Sequence, residues 1–197
     1  MTRLVFIRHG ITVWNAQRRY CGHKDVALSR EGARQAAKLA GSLKTAEFDK
    51  IYCSDRKRAV QTCRIIFEQA KFIKVKGLKE INFGVLEGMK HKDIMLKYPD
   101  VYERWLEDPY KNHIPKAEKM KVFKKRVEGA VKRIIRSNRG KTVAIVCHGG
   151  VIGVFVCGIL KSGNFWGRIP SAASVTVVEY KKGKARIKKF NDTAHLR

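Results

Sequence analysis

The sequence predicts an α/β fold, a three-layer α/β/α sandwich with a mostly parallel central sheet. Short apolar runs alternate with segments whose apolar residues recur at helical spacing, a pattern typical of strands joined by helices. Residues 2–8 and 142–147 each contain at least four consecutive apolar residues, as strands buried on both faces do. The chain has 197 residues, of which 44% are apolar, and this is enough to bury the core of one domain.

The first half of the chain contains two predicted strand–helix units. Residues 2–8 form the first predicted strand, and a helix begins after Ser29, whose hydroxyl is a suitable N-cap. The predicted buried stripe of that helix is Ala33, Ala36, Ala37 and Ala40. Residues 49–54 form the second predicted strand and residues 72–76 a third. Between these two strands lies a helix whose predicted buried face contains Ala59, Cys63, Ile66, Phe67 and Ala70.

The second half begins with a segment that is harder to assign. Residues 77–118 contain Pro99, Pro109 and Pro115, which favour short helices and loops, and we expect this insertion to cover a site. The remaining predicted elements are a long amphipathic helix, a buried strand, a buried helix and a closing hairpin, at residues 118–137, 142–147, 150–160, and 174–180 with 184–190. No repeat or linker interrupts the chain, so we expect a single domain over residues 1–197.

The chain is strongly basic. It contains 43 Lys or Arg and 17 Asp or Glu, which gives a net charge of +26. This charge favours polyanions, phosphorylated substrates or anionic surfaces as partners, without indicating a fold. Twelve Lys or Arg lie in residues 111–141 and six in residues 181–189, but no nucleic-acid recognition motif accompanies them. A basic nucleic-acid-binding protein is therefore a remote alternative, and we expect no specific nucleic-acid partner.

Cysteine usage and targeting signals indicate a cytoplasmic protein. The five cysteines are odd in number and show no CxxC spacing, so we expect free thiols in a reducing compartment. The apolar run at the N-terminus is too short for a signal peptide. Residues 143–160 are long enough to span a membrane, but His148 and the following Gly149-Gly150 interrupt them. We therefore expect no membrane partner.

Basic side chains follow the predicted strands. His9 and His148 come directly after buried strands, and Arg58 lies in the first turn of the helix after the second strand. Because ligands of such sheets bind beyond the carboxyl ends of the strands, we expect these side chains to share a site. The planar fork of Arg8 suits a phosphoryl group, a neutral imidazole can attack phosphorus, and a helix N-terminus favours an anion. Taken alone, each of these residues could equally be a solvated or a structural group, and together they suit the binding of a phosphoryl group.

Two carboxylates, Glu80 and Glu87, flank a turn that contains glycine, and either could serve as a general acid. Cys147 beside His148 would allow a cysteine hydrolase. However, adjacent residues of a strand point to opposite faces, so we expect the thiol to face away from the imidazole.

Six motifs, taken together, make the sequence resemble the histidine phosphatase superfamily, whose fold is phosphoglycerate-mutase-like. They occur in the order typical of that family and extend over nearly the whole chain, as RHGITVWN (8–15), LSREGARQA (28–36), SDRKRAVQT (54–62), LKEINFGVLEG (78–88), HGG (148–150) and NDTAHL (191–196). The stretch from Glu80 to Arg126 resembles α-ribazole phosphatases and broad-specificity phosphatases.

The resemblance implies a phosphoric monoester hydrolase that acts on a small phosphorylated metabolite through a phosphohistidine intermediate. It implies that His9 is the nucleophile and Glu80 the proton donor. The implied phosphate pocket is completed by Arg8, Arg58 and His148. The implied substrate-contacting residues are Asn15, Cys21, Gly22 and Gly149. A homodimer is compatible with the resemblance.

The expected mechanism requires defined protonation states. His9 must be neutral to attack, so its second ring nitrogen is expected to donate to a carbonyl. We expect a protonated His148 to help neutralise the phosphate. Glu80 would protonate the leaving alkoxide and later accept a proton from the attacking water. We expect no metal or cofactor, since no HExxH, Cys/His cluster or Walker-type loop is present.

The main alternative is a 2,3-bisphosphoglycerate-dependent phosphoglycerate mutase. The chain between Glu80 and His148 is shorter than in the mutase branch, and a more open site would admit water to phosphohistidine. This favours hydrolysis. Ile11, Cys21 and Leu86 depart from the residues common in the family, and these departures leave the substrate open.

Overall fold

A computed structural model describes residues 1–197 of the protein. Six strands form one sheet: β1 (Thr2–Arg8), β2 (Lys50–Cys53), β3 (Ile73–Lys74), β4 (Thr142–Cys147), β5 (Val175–Lys181) and β6 (Lys184–Asp192). The α-helices are α1 (Val13–Ala16), α2 (Arg30–Ser42), α3 (Lys57–Phe67), α4 (His91–Lys97), α5 (Pro99–Glu107), α6 (Met120–Ser137) and α7 (Gly149–Leu160). Single 3₁₀ turns occur at Lys76–Leu78, Gly84–Leu86, Trp166–Arg168 and Ala194–Leu196.

The sheet is mostly parallel, as predicted. Its strand order is β3-β2-β4-β1-β5-β6. The first four of these strands run parallel, whereas β5 is antiparallel to β1 and β6 is antiparallel to β5. The register of β1 and β4 places Arg8 opposite Cys147. The residues that follow these two strands, His9 and His148, therefore leave the sheet side by side.

Alternate residues of the central strands pack into two separate cores. Leu4 and Phe6 of β1 belong to a core that also contains residues of α6 and α7. Val5 and Ile7 belong to the opposite core, with residues of α2 and α3. This alternation, which follows from the two-residue repeat of a strand, produces the predicted three layers.

Residues 77–118 contain the two short helices α4 and α5. Their apolar side chains form a third, smaller cluster, whose buried members are Leu86, Ile94, Tyr102, Trp105 and Ile114. Tyr20, which follows α1, and Trp166, which follows α7, pack against this cluster. Aromatic contacts thus hold the segment against the chain that follows α1 and the chain that follows α7.

Several predicted boundaries and faces were wrong. Ala37 is exposed, and the buried face of α2 is Gly32, Ala36 and Leu39. Ala70 is exposed because α3 ends at Phe67. The third strand is reduced to the two residues of β3. The long helix begins at Met120 instead of residue 118, and Glu118 outside it pairs with Arg126.

The hairpin is confirmed. Lys182 and Gly183 connect β5 and β6 with positive φ angles of 47° and 79°, the geometry of a type I′ turn. Ser29 caps α2 as predicted, since its Oγ accepts from the Gly32 N–H at 3.0 Å. None of the helices combines the length with the apolar composition that crossing a bilayer requires.

Candidate active site

His9 and His148 meet at the carboxyl ends of β1 and β4. Their ring centroids are 5.1 Å apart, and the His9 N–H donates to the Cys147 carbonyl at 3.0 Å. Arg58, in the first turn of α3, brings its Nε to 3.3 Å from His9 Nε2. The fold therefore brings together three basic residues that are distant in the sequence.

The hydrogen bonds of His9 define its tautomer. Its Nδ1 lies 2.7 Å from the Gly10 carbonyl, which can only accept, so Nδ1 carries the hydrogen. Nε2 then presents a lone pair, toward which Arg58 Nε donates. Burial, together with the positive charges of Arg58 and Arg8, lowers the pKa of His9 well below its usual value. The imidazole is neutral, as a nucleophile requires.

Arg58 is fully buried, and its guanidinium is held by a loop. Nη1 donates to the Lys24 carbonyl at 3.1 Å. Nη2 donates to the carbonyls of Gly22 at 2.7 Å and Cys21 at 3.3 Å. These bonds fix the guanidinium in an orientation that directs Nε toward His9.

Arg8 has a buried donor without a partner. Its Nη1 donates to the Pro170 carbonyl, whereas its buried Nε has no partner in the chain. Gly149 lets the guanidinium pass, because a Cβ there would lie 3.1 Å from Arg8 Cζ and 3.0 Å from Ile169 Cγ2. Buried donors without partners are rare in proteins, so Arg8 Nε is a donor that a bound anion could use.

His148 has a second unpartnered nitrogen. Its Nε2 lies 2.8 Å from Ser54 Oγ, and its buried Nδ1 has no partner. We expected this ring to be protonated. However, burial and the charges of Arg58 and Arg8 lower the pKa of His148 well below its usual value, so without a bound anion it is neutral. If Ser54 Oγ donates to Nε2, the neutral ring still carries a hydrogen on Nδ1.

Glu80 is buried at the wall of the site. Its Oε2 accepts from the Gly150 N–H and its Oε1 from the Ile81 N–H, each at 2.9 Å. Burial raises the pKa of Glu80, although these hydrogen bonds and the charges of Arg58 and Arg8 oppose the rise. The carboxyl group therefore keeps its proton to higher pH than an ordinary glutamic acid, which suits a proton donor.

Glu87, the other candidate acid, has a structural role. It accepts from the backbone N–H groups of Gly22, His23, Lys24 and Phe83 at distances of 2.8–3.3 Å. Its carboxylate is thus occupied in holding the loop that carries the Arg58 acceptors. This leaves Glu80 as the carboxyl group that lines the site.

The predicted substrate-contacting residues differ in their accessibility. Asn15, Cys21 and Gly149 line a cavity together with Arg8 and Glu80, whereas Gly22 does not. The side chains of His9, Arg58 and His148 lie outside the lining of this cavity. Asn15 Oδ1 accepts from the Thr12 N–H at 3.1 Å, so its amide nitrogen remains available. Burial raises the pKa of Cys21 to about 11, which keeps it a thiol at neutral pH.

The cavity has a volume of about 400 Å³ and an aromatic wall. Its aromatic residues come from four separate segments, which is why the sequence did not reveal them: Tyr20, Phe83, Trp105, Phe165 and Trp166. Many of these rings pack edge to face, with centroids 4.8 Å apart for Trp105 and Trp166. Its charged residues are Arg8, Arg18, Arg19 and Glu80.

Sequence reasoning also missed two hydroxyl groups. Ser54 contacts His148, and Thr62 Oγ1 accepts from the Gly10 N–H at 3.2 Å while donating to the Arg58 carbonyl at 2.8 Å. Both belong to the 54–62 motif, and the four-residue spacing of Arg58 and Thr62 on one helix could have indicated a common face. Cys147, as predicted, is packed in the core and takes no part in the site.

No three His, Cys, Asp or Glu side chains converge anywhere in the structure in a way that could hold a metal ion. The polar groups that converge are instead those of an anion site: guanidinium groups, imidazoles and the N-terminus of α7.

Residues 4–193 match the sequence model of the Histidine phosphatase superfamily (branch 1). The chain belongs to the histidine phosphatase superfamily. Phosphoserine phosphatase 1 of Hydrogenobacter thermophilus is 32% identical over 100% of this chain and 95% of its own. A broad-specificity phosphatase of Saccharomyces cerevisiae is 34% identical, with coverage of 98% and 87%. An adenosylcobalamin/alpha-ribazole phosphatase of Salmonella typhimurium is 28% identical, with coverage of 98% and 97%.

Two solved structures in the histidine phosphatase superfamily share the entire fold. YhfR of Bacillus stearothermophilus superposes with a TM-score of 0.95 at 28% identity, over 100% of both chains. A phosphoserine phosphatase from Entamoeba histolytica, in complex with phosphoserine, gives 0.90 at 27% identity, also over 100% of both chains. The predictions of a phosphoglycerate-mutase-like fold and of a phosphoric monoester hydrolase are confirmed.

Proposed function

We propose that the chain hydrolyses small phosphorylated metabolites, with His9 as the nucleophile. One observation carries the proposal: the neutral His9 ring lies next to two buried nitrogen atoms without partners, Arg8 Nε and His148 Nδ1. A phosphoryl group bound there would supply acceptors for both. Arg8 and Arg58 would balance the two negative charges of a phosphomonoester.

In the first step, the phosphoryl group takes over the Arg58 Nε–H that otherwise approaches His9 Nε2. The freed lone pair attacks phosphorus in line with the leaving oxygen. An N–P bond forms and the P–O bond to the alcohol breaks. Glu80 in its acid form donates its proton to the departing oxygen.

In the second step, water attacks the phosphohistidine on the face that the alcohol has left. The Glu80 carboxylate accepts a proton from this water, while the N–P bond breaks and inorganic phosphate is released. His9 returns to its neutral form and Glu80 to its acid form. Protons and charges therefore balance over the cycle.

The substrate class follows from the relatives and from the cavity. The relatives named above act on phosphoserine, on α-ribazole phosphate or on a broad range of phosphate esters, as their names state. A cavity of about 400 Å³ accepts an alcohol portion of this small size.

The proposal is tested by His9→Ala with p-nitrophenyl phosphate as substrate. We expect kcat to fall by a factor on the order of 10⁴ or more, because the covalent route is lost. Exposed His113, which makes no side-chain hydrogen bond, provides the matched control, His113→Ala. A folded His9→Ala variant that retains full activity would refute the proposed nucleophile.

A further inference from the structure

The cavity contains more positive charge than a phosphomonoester requires. Besides Arg8, its lining includes Arg18 and Arg19, whereas its single carboxyl group is that of Glu80. Both Glu80 oxygens accept backbone N–H groups, so this carboxyl group is already engaged by the chain. If Arg8 and Arg58 balance the phosphate dianion, the charges of Arg18 and Arg19 remain unmatched.

Arg18 and Arg19 differ in how the chain holds them. Arg19 Nη1 donates to the Gly88 carbonyl at 2.7 Å, and its Nε donates to Gln17 Oε1 at 2.9 Å. These bonds fix Arg19 as part of the cavity wall. The Arg18 guanidinium makes no hydrogen bond or ion pair, and its side chain is exposed at the rim. Arg18 is therefore the group with donors to offer a ligand.

Arg18 lies close in the chain to Asn15, which also lines the cavity. Its backbone N–H donates to the Asn15 carbonyl at 3.0 Å, so it directly follows the turn that presents the Asn15 amide. Its φ of 55° is left-handed, a conformation uncommon for residues other than glycine. This backbone is fixed on both sides, by the Asn15 turn and by Arg19.

We infer that Arg18 binds a carboxylate on the alcohol portion of the substrate, and so selects phosphate esters of hydroxy acids. This inference rests on the proposed function. A planar guanidinium matches a carboxylate through paired hydrogen bonds. The aromatic wall, which carries no charge, would contact the carbon atoms between the phosphate and the carboxylate.

A matched pair of substrates tests the inference. 3-Phosphoglycerate and glycerol 3-phosphate differ by a carboxylate in place of a hydroxymethyl group. We expect the wild type to prefer 3-phosphoglycerate in kcat/KM, and Arg18→Gln to lower this preference about fivefold, as the loss of an exposed ion pair would. Added salt should weaken the wild-type preference. Arg34→Gln, an exposed arginine outside the cavity, should leave the preference unchanged.

Two further variants keep the result decisive. Glycine accommodates the left-handed φ of residue 18, so Arg18→Gly removes the guanidinium without backbone strain if Arg18→Gln folds poorly. Calorimetric binding of the two compounds to His9→Ala, with and without the Arg18 substitution, measures the same preference without turnover. If the Arg18 substitution lowers kcat/KM or affinity equally for both compounds, or lowers neither, the role of Arg18 is overturned. Absence of phosphate release by the wild type would instead count against the proposed function.

Discussion

Glu80 and His9 are both buried, yet burial moves their pKa values in opposite directions. Burial disfavours the charged form of each, so it raises the pKa of the Glu80 carboxyl and lowers that of the His9 imidazole. Burial therefore extends the acid form of the carboxyl group to higher pH and the neutral form of the imidazole to lower pH. The proposed chemistry needs both of these forms at the same pH.

The pH dependence of kcat/KM should follow from these shifts. Raising the pH through the elevated pKa of Glu80 removes the proton donor, so activity on an alkyl phosphate should fall on the alkaline side. On the acid side, activity should persist below the usual pKa of histidine, because His9 remains neutral there. Rates are compared at equal concentrations of the substrate dianion.

Glu80→Gln identifies the group responsible for the alkaline decline. It should lower kcat/KM for alkyl phosphates by about 10²–10⁴-fold and affect p-nitrophenyl phosphate much less, since nitrophenolate leaves without protonation. The variant should also lose the alkaline decline. An equal effect on both substrates would be inconsistent with Glu80 as the acid.

The sequence predicted that His9, Arg58 and His148 meet, because each follows a predicted strand and the carboxyl ends of parallel strands share one edge of the sheet. It could not predict the charge state of His148, since that state depends on burial and on the arginines that folding brings beside the ring. It also left two carboxyl groups as candidates. Glu87 was excluded only when its four backbone donors were seen.

At the scale of elements, the start of α7 decides the placement of the acid. Gly149 and Gly150 open this helix directly after His148. The Gly150 N–H binds Glu80, and a Cβ on Gly150 would collide with Glu80 Oε1. The glycine pair therefore allows a helix N-terminus and a carboxyl group to approach closely.

Gly150→Ala should displace the Glu80 carboxyl group. We expect a loss of about 1–3 kcal/mol in the free energy of unfolding, as for overpacked cores, and a larger loss of activity on alkyl phosphates than on p-nitrophenyl phosphate. Denaturant titration and kcat/KM on both substrates measure these effects. Gly41→Ala in α2 is the matched control, because its Cβ would meet nothing within 4 Å. If both variants behave alike, the contact with Glu80 is unimportant.

Predictability also varied among the elements. The apolar strands and the amphipathic helix α6 were evident because their periodicity is long and regular. The faces of α2 were partly misassigned, since a stripe of alanines gives little contrast between buried and exposed sides, and Ala37 is exposed. In residues 77–118 the short helices lack periodicity, and their positions depend on aromatic contacts with Tyr20 and Trp166.

Across the whole molecule, the positive charge is unevenly distributed along the chain. Residues 119–197 contain nineteen Lys or Arg and three Asp or Glu. None of these cations lines the cavity, whose charged residues are Arg8, Arg18, Arg19 and Glu80. Their effect on a small anionic substrate is therefore exerted at long range, through the overall field.

This field should increase the capture of anionic substrates at low ionic strength. For p-nitrophenyl phosphate we expect kcat/KM to fall by about tenfold between low salt and roughly 0.3 M salt, with kcat nearly constant, because salt screens attraction and not the chemical step. Steady-state kinetics over a sodium chloride series measures this. A kcat/KM independent of salt would indicate that the net charge has no part in substrate capture.

The expectations of one domain and of no specific nucleic-acid partner stay predictions.

Arg58 connects the active site to the loop around it. The same guanidinium that faces His9 also holds the carbonyls of Cys21, Gly22 and Lys24. Affinity for phosphate and order of this loop are consequently inseparable properties. Any engineering of the cavity rim through residues 21–24 will alter the electrostatics of the nucleophile, and substrate range in this protein is better changed from the aromatic wall.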